Sequence, residues 1–275
     1  MKKNILFILS LALLTIGFTS CEKQSAGKTG MVDYVVLKLV GEEQVFLKLG
    51  EKYIEDGWTA TDKGKDVANQ VSLSITDMKG NEVDEITTET PGFFTITYSA
   101  TSEDKVTISV ERQVFAYDPS LTVSIKGAFT VDYEKSERID GSRDWTWAQW
   151  SAMYTDPAQW GYADYSLTSF KVTFSEVAPG IYKVDDLLGG FYTGLRGYGP
   201  YMKESNGAAY YNYYSMGGMV ILNADKTIDL VASHVEAWGD SLDDFTGVYD
   251  DATNTIEMHS IYGGGMDFHV IMVKK

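Results

Sequence analysis

Thr255-Ile256-Glu257-Met258-His259-Ser260-Ile261-Tyr262, followed by Gly263-Gly264-Gly265 and then Met266-Asp267-Phe268-His269-Val270-Ile271-Met272-Val273, is the stretch whose reading decides the fold. Two runs of period-two alternation flank a glycine turn, which is the pattern of a β-hairpin. With Gly264 at the centre of the turn, Met258 faces Val270, Ile256 faces Met272 and Ser260 faces Phe268, and this face predicts a core. The other face sets Glu257, His259 and Ile261 opposite Ile271, His269 and Asp267. His259 and His269 are then cross-strand partners, close enough to share a metal with Glu257 or Asp267 as a third ligand. The competing reading is a solvent-facing polar stripe with paired imidazoles. It is preferred, because no third histidine is obviously near, and no metal or cofactor is expected.

Working outward, further strand runs precede this hairpin: Thr122–Ile125, Ala128–Tyr133, Leu167–Val177, Ile181–Val184, Met219–Leu222, Thr227–Ser233 and Phe245–Tyr249. Tight turns join several of them, as at Ala178-Pro179-Gly180 and Asn223-Ala224-Asp225-Lys226. Helix signals are sparse. Sequential hairpins predict an antiparallel meander that closes into a lipocalin- or streptavidin-like barrel, or folds into a sandwich. A barrel would offer a mouth for a ligand.

Two aromatic-rich stretches interrupt the meander. One carries Asp144, Trp145, Trp147, Trp150 and Trp160; the other carries Tyr192, Arg196, Tyr198, Tyr201 and Tyr213. Long connections of this kind tend to be functional. Indole and phenol rings stack on sugar C–H groups or anchor protein interfaces, while Asp144 and Arg196 are expected as polar contacts. The alternative is that the rings fill or cap the barrel. The acids at Asp240, Asp243, Asp244, Asp250 and Asp251 lack the spacing of a calcium loop, and Asp250 and Asp251 are expected to form a turn.

The first half of the chain also reads as strands, among them Val35–Val40, Val45–Leu49, Phe93–Tyr98 and Val106–Val110, separated by turn residues such as Pro91-Gly92. Glu55-Asp56-Gly57-Trp58-Thr59-Ala60-Thr61-Asp62, with Thr90-Pro91-Gly92-Phe93-Phe94-Thr95-Ile96-Thr97-Tyr98, resembles bacterial surface immunoglobulin-like domains. That resemblance implies a sandwich over residues 33–116, acting as a stalk. Ala116–Ser120 is expected to be a linker into a second β domain, residues 117–275. The fold class predicted is therefore all-β: an immunoglobulin-like sandwich followed by a meander barrel.

The N-terminus has an export signal over residues 1–20: Lys2 and Lys3, then an apolar run from Ile5 to Phe18. Phe18-Thr19-Ser20-Cys21 resembles a bacterial lipobox, which implies that Cys21 carries lipid and is the membrane attachment. Residues 21–32 form a polar, glycine-containing tether. Cys21 is the single cysteine, so a disulfide is not expected in the mature chain.

The chain of 275 residues has 23 basic against 39 acidic residues, a net charge of −16, and loss of Lys2 and Lys3 makes it more negative still. Such a surface repels phosphate backbones, so nucleic acid is excluded as a partner and a neutral ligand is favoured over an anionic one. No nucleophile elbow, phosphate loop or HExxH helix is present, and the chain is not expected to be an enzyme. The lipobox, the immunoglobulin-like domain, Asp186-Leu187-Leu188-Gly189-Gly190-Phe191-Tyr192 and Gly197-Tyr198-Gly199 resemble two-domain Bacteroidetes surface lipoproteins. These in turn are similar to accessory glycan-binding lipoproteins of polysaccharide utilisation systems. The resemblance implies an outer-membrane, surface-facing protein that binds a neutral glycan, with transporters or other surface lipoproteins as partners. A structural or docking lipoprotein is the second reading, and a glycan-active enzyme the third.

Overall fold

The computed structural model describes residues 33–141, 143–149, 152, 170–192 and 214–274. The N-terminal part is a sandwich of two sheets. One holds β1 (Val36–Leu39), β3 (Trp58–Asp62) and β4 (Lys65–Asp66). The other holds β2 (Gln44–Lys48), β8 (Thr107–Tyr117), β7 (Gly92–Thr101), β5 (Ser72–Asp77) and β6 (Glu82–Val83), in that spatial order. Leu37 and Ala60 from the first sheet meet Phe94, Ile96, Tyr98 and Val114 from the second to form the core.

A charged group crosses that core. Arg112 on β8 is fully buried. Its guanidinium pairs with Glu55, donates to Tyr53 Oη at 3.1 Å and to the Glu42 carbonyl at 3.1 Å, and reaches the Val40 carbonyl. Tyr53 donates to Glu55 at 2.6 Å, Tyr98 also donates to Glu55, and the Gly57 N–H reaches the same carboxylate at 2.7 Å. Gly57 adopts φ +95°, a left-handed conformation that a side chain would strain. Burial pushes the Glu55 carboxyl up, but the donors from Tyr53, Tyr98 and Gly57 and the Arg112 charge outweigh it and hold the group below its ordinary value.

The C-terminal part is a barrel. Its ring runs β9 (Gly127–Val131), β12 (Lys171–Ala178), β13 (Ile181–Val184), β14 (Met216–Leu222), β15 (Thr227–Val235), β16 (Asp244–Asp250), β17 (Thr255–Tyr262) and β18 (Met266–Val273), and β18 returns to β9. All eight pairings are antiparallel, which an even-numbered ring permits. β10 (Glu137–Asp140) and β11 (Arg143–Thr146) extend the sheet from β18. Strand β18 thus pairs with β10 along its first half and β9 along its second. Between them Ser136 substitutes for the missing ladder: its hydroxyl donates to the Asp132 carbonyl at 2.7 Å and accepts from the Ile271 N–H at 3.0 Å.

The hairpin register read from the sequence is the one observed, with Met258 opposite Val270, Ile256 opposite Met272 and His259 opposite His269. Ile256, Met258, Ser260, Phe268, Val270 and Met272 are buried as the alternation requires. Two expectations are corrected. Thr122–Ile125 is not a strand; Ile125 is instead buried in the barrel core, its N–H donating to Tyr182 Oη at 3.3 Å. Ala116 and Tyr117 are not a linker but the end of β8, paired with Leu47 and Lys48.

Part of the barrel interior is filled by the chain itself. After β13, Asp186–Tyr192 turns inward, and Leu187, Leu188 and Phe191 are fully buried. The Asp186 carboxylate accepts from the N–H groups of Leu188 at 3.0 Å, Gly190 at 3.0 Å and Met216 at 3.3 Å. Ser260 Oγ donates to the Leu187 carbonyl at 2.8 Å. Gly189 has φ +59°, and a Cβ there would stand 2.5 Å from Val270 Cγ1. The turn passes the barrel wall only because that atom is missing.

The two domains touch. Phe93 and Phe115 are cross-strand partners on β7 and β8, and Ile181 and Ile221 are cross-strand partners on β13 and β14. These four side chains form one buried cluster, and the ring of Phe46 stacks on Phe115 at 4.9 Å. At about 1.5–3 kcal/mol for each buried side chain, the cluster opposes free movement at the connection.

Two outcomes follow. Glu55→Ala leaves the buried Arg112 without its counter-ion and is expected to cost about 3–5 kcal/mol, read as a shifted urea midpoint. Because the folded Glu55 carboxyl is depressed, its contribution is present above its ordinary value of 4.5 and disappears as pH falls below it. Glu55→Gln should therefore flatten the acid limb of the stability–pH curve. Separately, Ile181→Ala with Ile221→Ala should lose about 2–5 kcal/mol per site. In calorimetry that loss should separate the melting of the two domains.

Candidate functional site

The aromatic residues of the barrel form a connected series that runs from the core to the surface. Tyr133 stacks on Trp147 at 5.6 Å, and Trp147 meets Phe191 edge-on at 4.9 Å. Phe191 meets Phe268 at 5.7 Å, and Phe268 meets Tyr192 at 5.3 Å. Tyr192 then contacts Tyr262 at 6.0 Å and Trp238 at 5.6 Å, and Trp238 leans on Tyr214 at 5.4 Å. Edge-to-face and tilted geometry places positive ring edges on negative faces, so each contact adds to burial energy and fixes the next ring.

Among the described residues, the series reaches solvent at Trp238. Trp238 is 41% exposed, whereas Tyr192 and Tyr262 beneath it are buried. It sits on the turn that joins β15 to β16, just before Gly239, which has φ +72°. The Val235–Asp240 bridge closes that turn, with the Val235 N–H donating to the Asp240 carbonyl at 2.9 Å. Tyr262 Oη donates to Asp240 Oδ2 at 3.0 Å. The exposed indole therefore stands on a floor whose rotamers are fixed by packing and by a hydrogen bond.

The residues expected from the sequence divide into three groups. Trp147 is 2% exposed and Tyr192 is 5% exposed, so neither is a surface platform in this structure. They are large apolar rings beside the space that the Asp186 turn must fill, and burial wins. Trp145 is half-buried and packs against the same core. The backbone of Asp144 lies on β11 opposite Ile139. The Asp144 side chain lies outside the described residues, as do Cys21, Trp150, Trp160, Arg196, Tyr198, Tyr201 and Tyr213. Trp238 was missed by the sequence reading. Its signal was local: a lone Trp before Gly-Asp at a hairpin turn, where burial is hard to achieve.

Among the acids, Asp243 braces the turn of the last hairpin and Asp250 forms its own turn. Asp243 accepts from the Gly264 N–H at 3.0 Å, and Asp250 accepts from the Ala252 N–H at 2.9 Å and from Thr253 Oγ1 at 2.6 Å. The Thr253 and backbone donors hold the Asp250 carboxyl below its ordinary range. On the outer wall of the barrel, the rings of His259 and His269 are stacked at 4.2 Å and nearly parallel.

Comparison with known proteins adds a family. Residues 37–115 match the model described as "Bacterial surface protein, Ig-like domain". Residues 118–274 match the C-terminal domain model of the BT2262-like proteins. Among solved structures, the lipoprotein BT2262 from Bacteroides thetaiotaomicron is 27% identical, with 88% of this chain and 100% of that chain covered and a TM-score of 0.40. No curated protein matches the chain. With its second domain matched over its length and a surface Ig-like domain before it, the chain belongs to the BT2262-like family of surface lipoproteins.

Proposed function

We propose that this lipoprotein is held at the outer membrane through Cys21 and binds a neutral polysaccharide or oligosaccharide without catalysis, at the aromatic end of its barrel. The observation that carries the reading is Trp238: a large indole left 41% exposed and fixed by Tyr192, Tyr262 and Tyr214. A ring already held in place loses little freedom when a sugar face stacks on it, so binding is not opposed by ordering. Asp240, two residues further along the same turn, carries a carboxylate of which one oxygen already accepts from Tyr262 Oη. The Tyr-rich stretch 193–213 leaves the described chain after Tyr192 and rejoins it at Tyr214, both neighbours of Trp238. Net negative charge favours an uncharged glycan over a uronate or sulfated one. Partners among surface lipoproteins or transporters belong to the same reading.

The test is a neutral-glycan array with the full chain in detergent, followed by titration of tryptophan fluorescence. Binding should quench the signal. Trp238→Ala should weaken it about thirtyfold, the ~2 kcal/mol typical of an aromatic anchor. Equal affinity in Trp238→Ala, or silence across all neutral glycans, overturns the proposal.

A further inference from the structure

We propose that Glu257, His259 and His269 form a binding site for a late first-row divalent cation of the zinc class, on the outer wall of the barrel. Each of the three offers one ligand atom, and these atoms lie within 4.8 Å of one another. Glu257 Oε1 stands 2.9 Å from His269 Nε2 and 3.8 Å from His259 Nε2. The two Nε2 atoms thus converge on one carboxylate oxygen. Tetrahedral zinc bonds of about 2.0–2.2 Å hold their donors roughly 3.3–3.6 Å apart, so the 2.9 Å pair must part and the 3.8 Å pair must close, each by about half an ångström or less. Glu257 is exposed and can swing, and the stacked imidazoles, 4.2 Å apart and nearly parallel, must turn so that both Nε2 lone pairs meet at the ion; these are side-chain rotations that leave the ladder intact.

The far side of each imidazole is furnished as well. His259 Nδ1 lies 2.8 Å from Asp267 Oδ2. His269 Nδ1 faces Glu137 Oε1 at 3.9 Å, and Glu137 is the register partner of His269 across β10 and β18. A carboxylate behind a metal-binding imidazole fixes its tautomer and turns the other nitrogen's lone pair outward. His259 uses Nδ1 on Asp267, while its Nε2 stands 3.8 Å from Glu257 Oε1, too far for a hydrogen bond, and is left for another partner. A cation between the Nε2 atoms and Glu257 would supply that partner.

Charge points the same way. Glu137, Glu257 and Asp267 surround two imidazoles, and among the described residues no lysine or arginine pairs with any of the three. Asp267 Oδ1 is buried and has no hydrogen-bond partner. Negative charge held without a counter-ion is costly, and a divalent cation offsets it. Two nitrogens and one oxygen suit zinc, nickel or copper better than magnesium or calcium, which prefer all-oxygen sites. Three protein ligands leave a fourth position for water or a donor from another molecule.

The experiment uses the full chain in detergent after stripping with chelator, titrated with zinc by calorimetry and with cobalt by visible absorption. One ion per chain should bind, with the intense visible bands of four-coordinate cobalt, and calcium and magnesium in excess should not displace it. His259→Ala with His269→Ala should abolish both signals. Glu257→Gln, at an exposed position that folding does not need, should weaken zinc at least about tenfold. His234→Ala, which changes the third histidine elsewhere on the barrel, should leave binding unchanged. Undiminished zinc binding in the double histidine variant, displacement by calcium, or no binding by the unsubstituted chain overturns the site. The unfolding midpoint of each metal-free variant separates lost ligation from lost fold.

Discussion

The barrel depends on Asp186. Closing eight antiparallel strands removes the sheet edges but encloses a space that has to be filled. Here the chain fills it with part of a loop, and a buried loop carries backbone groups that must find partners. Asp186 accepts from three N–H groups and Ser260 covers the Leu187 carbonyl, so the turn enters with those polar atoms satisfied. That allows Leu187, Leu188 and Phe191 to be buried side by side. The aromatic end follows from it. Phe191 is the edge against which Trp147 packs, and Tyr192 is the support of Trp238.

The same loop marks the boundary of what the sequence made legible. The period-two alternation of Thr255–Tyr262 and Met266–Val273 carries its own register, since a slip of one residue would expose Met258 and Val270 and bury Glu257 and His269. The barrel class followed from such hairpins. Asp186–Tyr192 gave no such signal, because its conformation is set by partners that lie far along the chain at Phe170, Met216, Ser260 and Val270. For the same reason Trp147 and Tyr192 read as surface aromatics. Composition says that a ring is large and has a polar tip, and only the tertiary contacts say which side of the wall it occupies. Trp238 shows the converse: a solitary ring drew less notice than clusters, yet the turn holds it outward.

In the first domain the sequence showed the sandwich but not its polar centre. Arg112 sits in the run Val110-Glu111-Arg112-Gln113-Val114, where alternation puts it on the inward face between two valines. Pattern alone marks a charge there as an error. It is tolerated because Glu55, Tyr53 and the carbonyls of Val40 and Glu42 converge on the guanidinium. Glu55 and Gly57, which carried the resemblance to surface immunoglobulin-like domains, are thus the residues that house Arg112. Burying a pair of this kind is weak evidence for added stability. Its consequence is geometric: it ties the Val40–Gly57 region to β8, whose far end carries Phe115 into the contact with the barrel.

That contact fixes which wall of the barrel is covered. Ile181 and Ile221 are on β13 and β14, and in the ring order these strands stand four places from β17 and β18. Four places is half of an eight-strand ring, so the imidazole pair lies on the wall opposite the immunoglobulin-like domain. In the proposed attachment through Cys21, the route to the membrane starts on the N-terminal side of that domain. A cation held by His259 and His269 would therefore sit on the barrel face turned away from the domain that joins it to its anchor. Its fourth coordination position would be open to a molecule approaching from outside. The aromatic end and the histidine wall use the hairpin differently. Tyr262 and Phe268 point inward to support Trp238, while His259 and His269 point outward from the same two strands. Strand alternation alone separates the two surfaces, which is why substitutions on one can leave the other intact.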